Sequence, residues 1–389
     1  MKDNRKKIWI ISGEESGDIY GARLIEELRN LSPENPPYIS VMGGRRMAET
    51  GAELMVDATE LGVVGLMEVL GIIFTIIGIF RKLIKRASEE RPDCVVLIDY
   101  PGFNLRLARK LHKLNIPVVW YISPQVWAWK KGRMAKLAEY CTKMLVIFPF
   151  ETEVYKGSGL DTEFVGHPLV EVVKKRHNPN IQRNKNLVLL LPGSRSNEIN
   201  RLFIPMLETA IELHKRHPEL VFTVAAPRES VYKRLQDIYT RFCESRSGRE
   251  EMPQITITSG ETALWMQKAG TGLAASGTVT VECAISGLPL TVAYRLNAVT
   301  YWIARMLVDL PYFTMVNLIA DKRVYEEFLQ GDVNAVTLSD SVEKILPGGE
   351  RRSEVEKDIK DVVSSLSPKS GNPAVRVAKS VMSVIESSK

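Results

Sequence analysis

The sequence predicts an α/β protein built from two Rossmann-like domains that face one another across a cleft, each with a parallel sheet covered by helices. Three observations support this prediction. Short, continuous apolar runs alternate with segments in which apolar residues recur at helical spacing. This alternation occurs in two series, separated by a polar stretch at residues 174–186, and the chain of 389 residues exceeds one ordinary domain. Unbroken apolar runs are typical of strands in parallel sheets, and ligands of such folds bind at the carboxyl ends of those strands.

The first series of strands begins with Ile8 to Ile11, which precedes a polar loop and a helical pattern over residues 19–28. Further strands are predicted at residues 94–98, 118–122, 144–148 and 163–165. The second series has strands at residues 187–191, 221–225, 254–257, 272–275 and 290–293. We therefore predict domains at residues 1–168 and 169–346 and a C-terminal helical segment at residues 347–389 that packs back. Its last helix should begin with Asn372 as N-cap and Pro373 as first residue.

The composition is that of an ordinary globular protein. It has 45% hydrophobic and 25% charged residues, which excludes disordered, collagen-like and disulfide-scaffold classes. The four cysteines lack CxxC spacing, so we expect reduced thiols in a cytosolic protein, and the basic N-terminus precedes too short an apolar run for an export signal. With 52 Lys plus Arg against 46 Asp plus Glu, the excess is +6, and it is clustered. Local clusters favour phosphates or an anionic membrane surface over nucleic acid.

The segment at residues 63–80 is the most apolar part of the chain. Glu68 is its one charge, and Arg81 and Lys82 follow at once. We considered a buried helix, a spanning helix and a helix or helix pair lying on a membrane, and we favour the last. A spanning helix would split the first sheet and place Glu68 near the bilayer centre. Residues 298–308 are a weaker candidate for the same membrane contact, and for them we favour ordinary core packing. The expected membrane contacts are Val64, Leu66, Met67, Val69, Leu70, Ile73, Arg81 and Lys82.

Two loops of the first domain could carry chemistry. The loop at residues 13–18 lies between strand and helix, where backbone amides favour an anion or a sugar hydroxyl. Asp99 follows the strand at 94–98. One interpretation is a turn or N-cap residue, and the other is a general base. A general base there would need partial desolvation to raise its pKa above ~3.9. Of Trp127 and Trp129, we expect one to pack in the core and the other to face a sugar.

The second domain repeats this arrangement at two strand ends. Arg195 follows the strand at 187–191, where a guanidinium suits a diphosphate. At residues 275–283, small residues at a strand end indicate either phosphate binding by the amides of 277–279, with a ribose on Glu282, or a glycine kept for packing. Residues 270–275 match GxGxxA, but the glycines precede the strand and do not link strand to helix, so we discard a dinucleotide site. No Asp-x-Asp pair is present, so we expect a metal-free site in which Arg195 and helix dipoles meet the diphosphate.

With these motifs in this order, the sequence resembles the lipid-A-disaccharide synthase family. Members of that family are two-domain GT-B glycosyltransferases of Gram-negative envelope synthesis. The resemblance runs from about residue 8 to residue 330. It implies transfer of 2,3-diacylglucosamine from its UDP derivative to 2,3-diacylglucosamine 1-phosphate, with a β-1,6 link formed and UDP released. It also implies a peripheral enzyme on the cytoplasmic face of the inner membrane, and a homodimer is a further expectation from the resemblance. The matching blocks are GEESGD at 13–18, residues 62–71, IDYPGFN at 98–104, YISPQVWAW at 121–129, FVGHP at 164–168, LPGSR at 191–195, and ASGT at 275–278 with Glu282.

The resemblance also assigns residue roles. The candidate base is Asp99, with Glu15 as second choice, and no metal or cofactor is expected. The donor-binding residues implied are Gly193, Ser194, Arg195, Ser276, Gly277, Thr278, Glu282 and Asn317. The acceptor-binding or other cleft residues are Ser16, Gly17, Asn104 and Trp127.

Two alternatives come from other functional classes. A UDP-N-acetylglucosamine 2-epimerase uses a similar two-domain fold, but the apolar segment at 63–80 and the SPQVWAW block argue against it. A non-catalytic, membrane-associated nucleotide-sugar binder would keep Arg195 and Glu282 and would have no need for a base at Asp99.

Overall fold

The computed structural model describes residues 5–58, 69–125, 132–246, 252–297, 301–302, 305, 310–368 and 371–388; the side chains of 69–73 and 132–133 also lie outside the description. The chain forms two compact units. The N-terminal unit consists of Met1–Pro168 together with Leu366–Lys389, and the second unit is Leu169–Ser365.

The N-terminal unit contains a seven-stranded parallel sheet in the order β3-β2-β1-β4-β5-β6-β7. The order reverses between β1 and β4. Its strands are β1 (Lys7–Ser12), β2 (Tyr38–Gly43), β3 (Glu53–Asp57), β4 (Cys94–Ile98), β5 (Val118–Tyr121), β6 (Lys143–Val146) and β7 (Asp161–Phe164). Its helices before residue 168 are α1 (Glu15–Asn30), α2 (Arg45–Glu49), α3 (Val69–Glu90), α4 (Pro101–Lys113), α5 (Gly132–Tyr140) and α6 (Glu151–Tyr155).

The second unit contains a six-stranded parallel sheet in the order β10-β9-β8-β11-β12-β13, which reverses between β8 and β11. Its strands are β8 (Asn184–Leu191), β9 (Val221–Ala226), β10 (Ile255–Ser259), β11 (Ala269–Ala275), β12 (Leu290–Tyr294) and β13 (Glu326–Leu329). Its helices are α7 (Pro168–Arg176), α8 (Ser196–Arg216), α9 (Glu229–Arg246), α10 (Thr262–Lys268), α11 (Thr278–Ile285), α12 (Met315–Ala320), α13 (Ala335–Lys344) and α14 (Arg352–Ser365), with a 3₁₀ turn at Gln330–Asp332.

The predicted fold class of two parallel α/β sheets is confirmed. Every residue of β4 is buried, as expected for a strand covered on both faces. The prediction missed the interior strand β2 and two of the four edge strands, β3 and β13. Edge strands carry polar residues because they are less enclosed: β13 reads EEFL and all four residues are half-buried. A short apolar run is therefore a more reliable signal for the interior strands, of which only β2 was missed, than for the edges.

The predicted C-terminal segment at 347–389 is divided between the two units. Helix α14 packs against α11 and α12 of the second unit, whereas the last helix, α15 (Pro373–Ser387), packs on α1, β4 and β5 of the N-terminal unit. Helix α15 starts where predicted, because the Asn372 Oδ1 accepts hydrogen bonds from the Ala374 and Val375 amides at 2.7 and 3.4 Å. Glu163 of β7 fixes its first half by accepting from Arg376 at 3.0 Å and Ser380 at 2.7 Å.

Helix α3 covers part of the apolar segment, and no helix among the described residues is long and apolar enough to cross a bilayer. One face packs on the core of the N-terminal sheet through Ile76, Ile79, Phe80, Leu83, Ile84 and Ala87. The opposite face, which we call the α3 face, exposes Phe74, Ile77, Arg81, Lys82 and Lys85. Phe74 is 73% exposed and Ile77 is 40% exposed. Of the other predicted membrane contacts, Val64, Leu66 and Met67 lie outside the described residues, as do the side chains of Val69, Leu70 and Ile73.

Candidate active site

The two motifs of the N-terminal unit lie at the ends of neighbouring strands. Strand β1 leads into the loop at 13–18 and β4 leads into Asp99, and the strands pair with Ser12 opposite Ile98. This is where the strand order reverses, and in open α/β sheets such a reversal leaves a crevice in which ligands bind. Contact between the two loops is close: a side chain on Gly13 would meet the Tyr100 ring at 2.5 Å. The sheet topology therefore brings together two motifs that are separated in sequence.

Asp99 has an unusual backbone conformation that its neighbours hold in place. Asp99 and Tyr100 have φ values of 45° and 50°, in the left-handed region that residues other than glycine rarely adopt. The Asp99 amide donates to the Tyr121 carbonyl at 3.0 Å. Asn104, which is completely buried, donates through Nδ2 to the carbonyls of Asp99 at 2.8 Å and Ile98 at 3.3 Å. The structure thus places Asn104, predicted as a cleft residue, beneath the loop, where it positions Asp99.

The environment of Asp99 suits a general base. Burial and, to a smaller extent, the negative charge of Glu14 raise the pKa of its carboxyl to about 6, against the opposing effect of a hydrogen bond from the Tyr100 backbone. A carboxylate that is half ionised near pH 6 is a stronger proton acceptor at neutral pH than one with an ordinary pKa. An Asp on an open surface would keep its ordinary pKa. Partial burial is therefore the feature that makes Asp99 suitable as a general base.

Glu14, and not Glu15, supplies the charge that acts on Asp99. Glu14 is the N-cap residue of α1 and Glu15 is its first residue, and both are exposed. The charge of Glu14 raises the pKa of both Asp99 and Tyr100. The sequence prediction named Glu15 as the alternative base, and nothing in the motif GEESGD indicated which of the two adjacent carboxylates would lie nearer Asp99.

Replacing Glu14 with Gln is expected to shift the acidic limb of the pH profile of kcat/KM to lower pH, by less than about one unit. Removal of the negative charge makes ionisation of Asp99 easier, so its pKa falls. Rates above pH 7 should change little. The measurement is kcat/KM across pH 4.5–8 for the native enzyme and the Glu14→Gln and Glu15→Gln variants. A large loss of rate in Glu15→Gln with no shift in Glu14→Gln would instead make Glu15 the base.

The remaining predicted residues of the loop at 13–18 have different roles. Ser16 is exposed in the first turn of α1. Gly17 is buried, and a side chain there would overlap the Ser12 Oγ at 2.0 Å, so this glycine lets α1 pack tightly on β1. Asp18, absent from the predicted site, is buried and accepts from the amides of Gly44 at 2.8 Å, Arg46 at 2.9 Å and Met47 at 3.1 Å. It fixes the loop to the start of α2. Trp127 lies outside the described residues.

The second unit has its own pair of loops at a reversal of strand order. Strand β8 leads to residues 192–195 and β11 leads to residues 276–278, and the two strands pair with Leu191 opposite Ala274. Gly193 has a φ of +108°, which only glycine adopts readily. Ser194 is exposed, and Arg195, the N-cap of α8, has a side chain that is 84% exposed. The guanidinium is therefore accessible to an anion.

Glu198, absent from the predicted site, holds this loop. Its Oε2 accepts from the amides of Ser194 at 3.2 Å and Arg195 at 3.3 Å, and its Oε1 lies 3.5 Å from a guanidinium nitrogen of Arg195. The sequence analysis assigned the diphosphate to Arg195 and helix dipoles; the two amides that Glu198 holds, those of Ser194 and Arg195, precede the first residue of α8. The next amides, Ser196 and Asn197, have no acceptor within the helix because they belong to its first turn. Arg228 adds a second cation, 3.4 Å from the Ser194 carbonyl.

In the loop at residues 276–278, small residues are exposed, and a partly buried carboxylate lies one turn further along α11. Gly277 and Thr278 are exposed, and Thr278 begins α11. The Ser276 Oγ donates to the Phe313 carbonyl at 3.4 Å. Glu282 lies one turn into the helix with 23% of its side chain exposed, 3.8 Å from Arg176, and burial raises the pKa of its carboxyl. This arrangement fits phosphate at the helix start and a hydroxyl group on Glu282.

Asn317 is buried in the packing of the second unit rather than exposed at the donor loops. Its Nδ2 donates to the Tyr325 carbonyl and to Glu327 Oε1, and its Oδ1 accepts from the Tyr325 amide, each at 2.8 Å. Glu327 also accepts from the amides of Phe313 at 3.1 Å and Thr314 at 2.8 Å, and from the Thr314 hydroxyl. Because Phe313 contacts Ser276, this network positions the chain beside the donor loop. A lone Asn in the sequence gave no sign of this internal role.

Replacing Glu327 with Ala is expected to lower the free energy of unfolding by about 3 kcal/mol or more. The variant leaves two backbone amides, a hydroxyl and the Asn317 amide without their acceptor, and such unsatisfied groups are costly when buried. Urea unfolding followed by circular dichroism measures the change. Glu244→Ala, which removes an exposed carboxylate from α9, serves as the control and should change stability by less than about 0.5 kcal/mol. Equal stability of the two variants would contradict the role given to Glu327.

The family model described as lipid-A-disaccharide synthetase matches residues 8–381. The lipid-A-disaccharide synthase of Koribacter versatilis is 36% identical over 389 residues, covering 98% of this chain and 99% of that protein, and the one from Anaeromyxobacter dehalogenans is 35% identical over 388 residues, covering 97% of each. Among solved structures, the UDP-GlcNAc 2-epimerase of Neisseria meningitidis, bound to UDP-GlcNAc, has a TM-score of 0.58 at 13% identity, covering 98% of this chain and 100% of that one. The Methanocaldococcus jannaschii UDP-GlcNAc 2-epimerase, in complex with UDP-GlcNAc and UDP, has a TM-score of 0.59 at 15% identity, covering 97% and 99%. At these identities, the two structures establish a shared fold alone.

Proposed function

Because the chain belongs to the lipid-A-disaccharide synthase family and is therefore a hexosyltransferase, we propose that it joins UDP-2,3-diacylglucosamine to 2,3-diacylglucosamine 1-phosphate. The products are the β-1,6-linked disaccharide 1-phosphate and UDP. The bond from the anomeric carbon to the UDP oxygen breaks, and a bond from the acceptor 6-oxygen to the same carbon forms with inversion. The observation that carries this proposal is the half-buried Asp99 carboxyl, with its pKa raised to about 6, at the end of β4.

Asp99 accepts the proton of the acceptor 6-hydroxyl as the new bond forms. Above pH 6 the carboxyl is mostly ionised, so it is in the form that a base requires. Asn104 and the Tyr121 carbonyl keep the Asp99 backbone in its left-handed conformation, which sets the direction of the side chain. A base that is fixed in this way does not have to be ordered during the reaction.

Groups of the second unit stabilise the UDP that leaves. The exposed Arg195 guanidinium meets the diphosphate, together with the Ser196 and Asn197 amides at the positive end of α8. The loop at 276–278 takes phosphate oxygens, and Glu282 accepts a hydrogen bond from a ribose hydroxyl. Cationic side chains and helix dipoles oppose the developing charge, so we propose that the reaction requires no divalent metal ion.

The α3 face supports a membrane location for the reaction. Phe74 and Ile77 are exposed beside Arg81, Lys82 and Lys85 on one side of an amphipathic helix. Exposed apolar side chains next to cations are typical of a helix that lies at the surface of an anionic bilayer. We therefore propose a peripheral enzyme on the cytoplasmic face of the inner membrane, where both diacylated substrates would be embedded.

The test is an assay in detergent micelles that contain UDP-2,3-diacylglucosamine and 2,3-diacylglucosamine 1-phosphate, with EDTA present and the products identified by mass. The disaccharide 1-phosphate and an equal amount of UDP are expected. Product that forms only when Mg²⁺ replaces EDTA would overturn the metal-free site and leave the reaction intact. No disaccharide, together with epimerisation of UDP-N-acetylglucosamine, would overturn the proposed reaction. No UDP release on mixing donor and acceptor would be the result for a non-catalytic binder.

A further inference from the structure

A strained residue lies at the end of β5, the strand next to the one that leads into Asp99. Strand β5 ends at Tyr121, and the following residue, Ile122, has a φ of 69°. The left-handed region is a clear outlier for a β-branched side chain, because its Cβ crowds the backbone. Strain of this kind persists only where the surrounding structure enforces it, and it is concentrated at functional sites.

Hydrogen bonds from three elements enforce this turn. The indole Nε1 of Trp120, a fully buried residue of β5, donates to the Ile122 carbonyl at 3.0 Å. The Ile122 amide donates to the Leu145 carbonyl of β6, also at 3.0 Å. The next residue, Ser123, is buried, and its Oγ lies 2.8 Å from the hydroxyl of Tyr155, a buried residue of α6. The chain is therefore held at Ile122 and directly after it.

The peptide group between Tyr121 and Ile122 connects this turn to Asp99. Its carbonyl accepts from the Asp99 amide at 3.0 Å, and its N–H is the donor to Leu145. A peptide group is planar, so its orientation follows from the dihedral angles on either side, one of which is the φ of Ile122. Asn104 holds the Asp99 carbonyl at 2.8 Å, so the backbone of Asp99 is held at both its amide and its carbonyl.

The indole N–H of Trp120 gives this residue a role that its ring alone would not have. The ring packs in the same buried cluster as Trp9, and a phenylalanine would fill most of that space. A phenylalanine has no donor for the Ile122 carbonyl. Without that hydrogen bond, Ile122 gains by leaving the left-handed region, and the 121–122 peptide group moves with it.

We propose that Trp120 is a positioning residue for Asp99: its indole N–H holds Ile122 in the left-handed turn, and the turn keeps the Tyr121 carbonyl on the Asp99 amide. The proposal rests on the function proposed above, in which Asp99 accepts the proton of the acceptor hydroxyl, and it adds the device that fixes this base in the sheet. Trp120 acts through the backbone and does not touch the reacting atoms.

The first test is a rescue experiment with Trp120→Phe, the double variant Trp120→Phe/Ile122→Gly, and Trp9→Phe as the control. Trp120→Phe should lower kcat in the micelle assay about 10-fold or more, because displacing a reacting group by about 1 Å can cost 100-fold. In the double variant, glycine adopts the left-handed conformation without strain, so kcat should return towards the native value. Stability in urea should stay low, because glycine does not refill the core. Trp9→Phe should lose stability and keep its kcat.

The second test measures the pKa of Asp99 and needs no turnover. The full-length protein is labelled with ¹³C at aspartate carboxyl carbons, and the Asp99 signal is identified by its loss in Asp99→Asn. A displaced loop admits water, so the pKa should fall from about 6 towards the ordinary 3.8 in Trp120→Phe and return in the double variant. Tyr155→Phe, which removes only the hydroxyl beside Ser123, should shift this pKa in the same direction by less. It replaces Trp120→Phe if that variant does not fold.

The outcomes separate this proposal from the proposed reaction. An unchanged kcat and an unchanged Asp99 pKa in Trp120→Phe or, where that variant does not fold, in Tyr155→Phe would overturn the positioning role. A loss of kcat that glycine does not restore, with the pKa unchanged, would make Trp120 a core residue alone and would also overturn it. A pKa that shifts and is restored by glycine, in a protein that forms no disaccharide, would support the link from Trp120 to Asp99 and count against the proposed reaction instead.

Discussion

Replacing Asp99 with Asn is expected to lower kcat by about 10²- to 10⁴-fold, the usual contribution of a general base. Asn has nearly the same shape as Asp and tolerates the left-handed conformation at φ 45°, so the loop should keep its geometry while the proton acceptor is lost. For the native enzyme, the rate should rise with pH through about 6, because the carboxyl must be ionised to act. The measurement is kcat as a function of pH in the micelle assay.

The same substitution should not destabilise the protein at neutral pH, and this separates loss of chemistry from loss of fold. The folded-state pKa of Asp99, about 6, lies above its ordinary value of 3.8, so the folded protein binds this proton more tightly than the unfolded chain. The ionised carboxyl therefore opposes folding above pH 6, an effect that grows between about pH 4 and 6 and is absent at lower pH. We expect Asp99→Asn to be at least as stable as the native protein at pH 8. Glu49→Gln, at an exposed carboxylate of α2, is the control and should retain its rate.

Replacing Arg195 with Ala is expected to raise the dissociation constant for UDP by about 10- to 100-fold, since hydrogen bonds to charged groups contribute about 1.5–3 kcal/mol. The guanidinium is 84% exposed and sits at the N-terminus of α8, so a bound diphosphate would receive its charge and the helix dipole together. The dissociation constant of Arg195→Lys for UDP should fall between those of the native protein and Arg195→Ala, because an ammonium group cannot form the paired hydrogen bonds of a guanidinium. Calorimetric titration with UDP measures the change.

Two controls make the Arg195 experiment decisive. Arg241→Ala removes an exposed arginine of α9 that bonds to its own helix, so UDP affinity should not change. Raising the salt concentration should weaken UDP binding in the native protein more than in Arg195→Ala, because part of the attraction is between exposed charges. If Arg195→Ala binds UDP as tightly as the native protein, the diphosphate is held by other groups, with Arg228 the nearest alternative.

The motifs were predictable because they depend on short stretches of sequence. Apolar runs indicated the central strands, and the polar loops after them indicated where Asp99 and Arg195 would lie. Asn372 and Pro373 indicated the start of α15, which the structure confirms. Each of these features depends on residues within a few positions of one another, so local patterns suffice to find them.

Other features of the site required contacts between distant residues. Glu14 is the extended N-cap of α1 and Glu15 is its first helical residue, so only the packing of α1 on β1 decides which carboxylate lies near Asp99. Asn317 looks like a ligand in the sequence, yet Tyr325 and Glu327 occupy both atoms of its amide. Similarly, Trp302 belongs to an apolar segment, residues 298–308, that the sequence analysis expected to pack in a core, yet its side chain is 61% exposed.

The sequence by itself determined the fold class, the positions of the central strands other than β2, the family and the loops that carry Asp99 and Arg195. The tertiary structure alone decided which of those loops become neighbours. The order of strands reverses at β1 and β4 in one sheet and at β8 and β11 in the other, and each reversal places two loops side by side. The physical reason is that hydrophobic periodicity depends on a residue's near neighbours along the chain. Strand order, burial of a carboxyl and the resulting pKa depend on the packing of segments that lie many tens of residues apart.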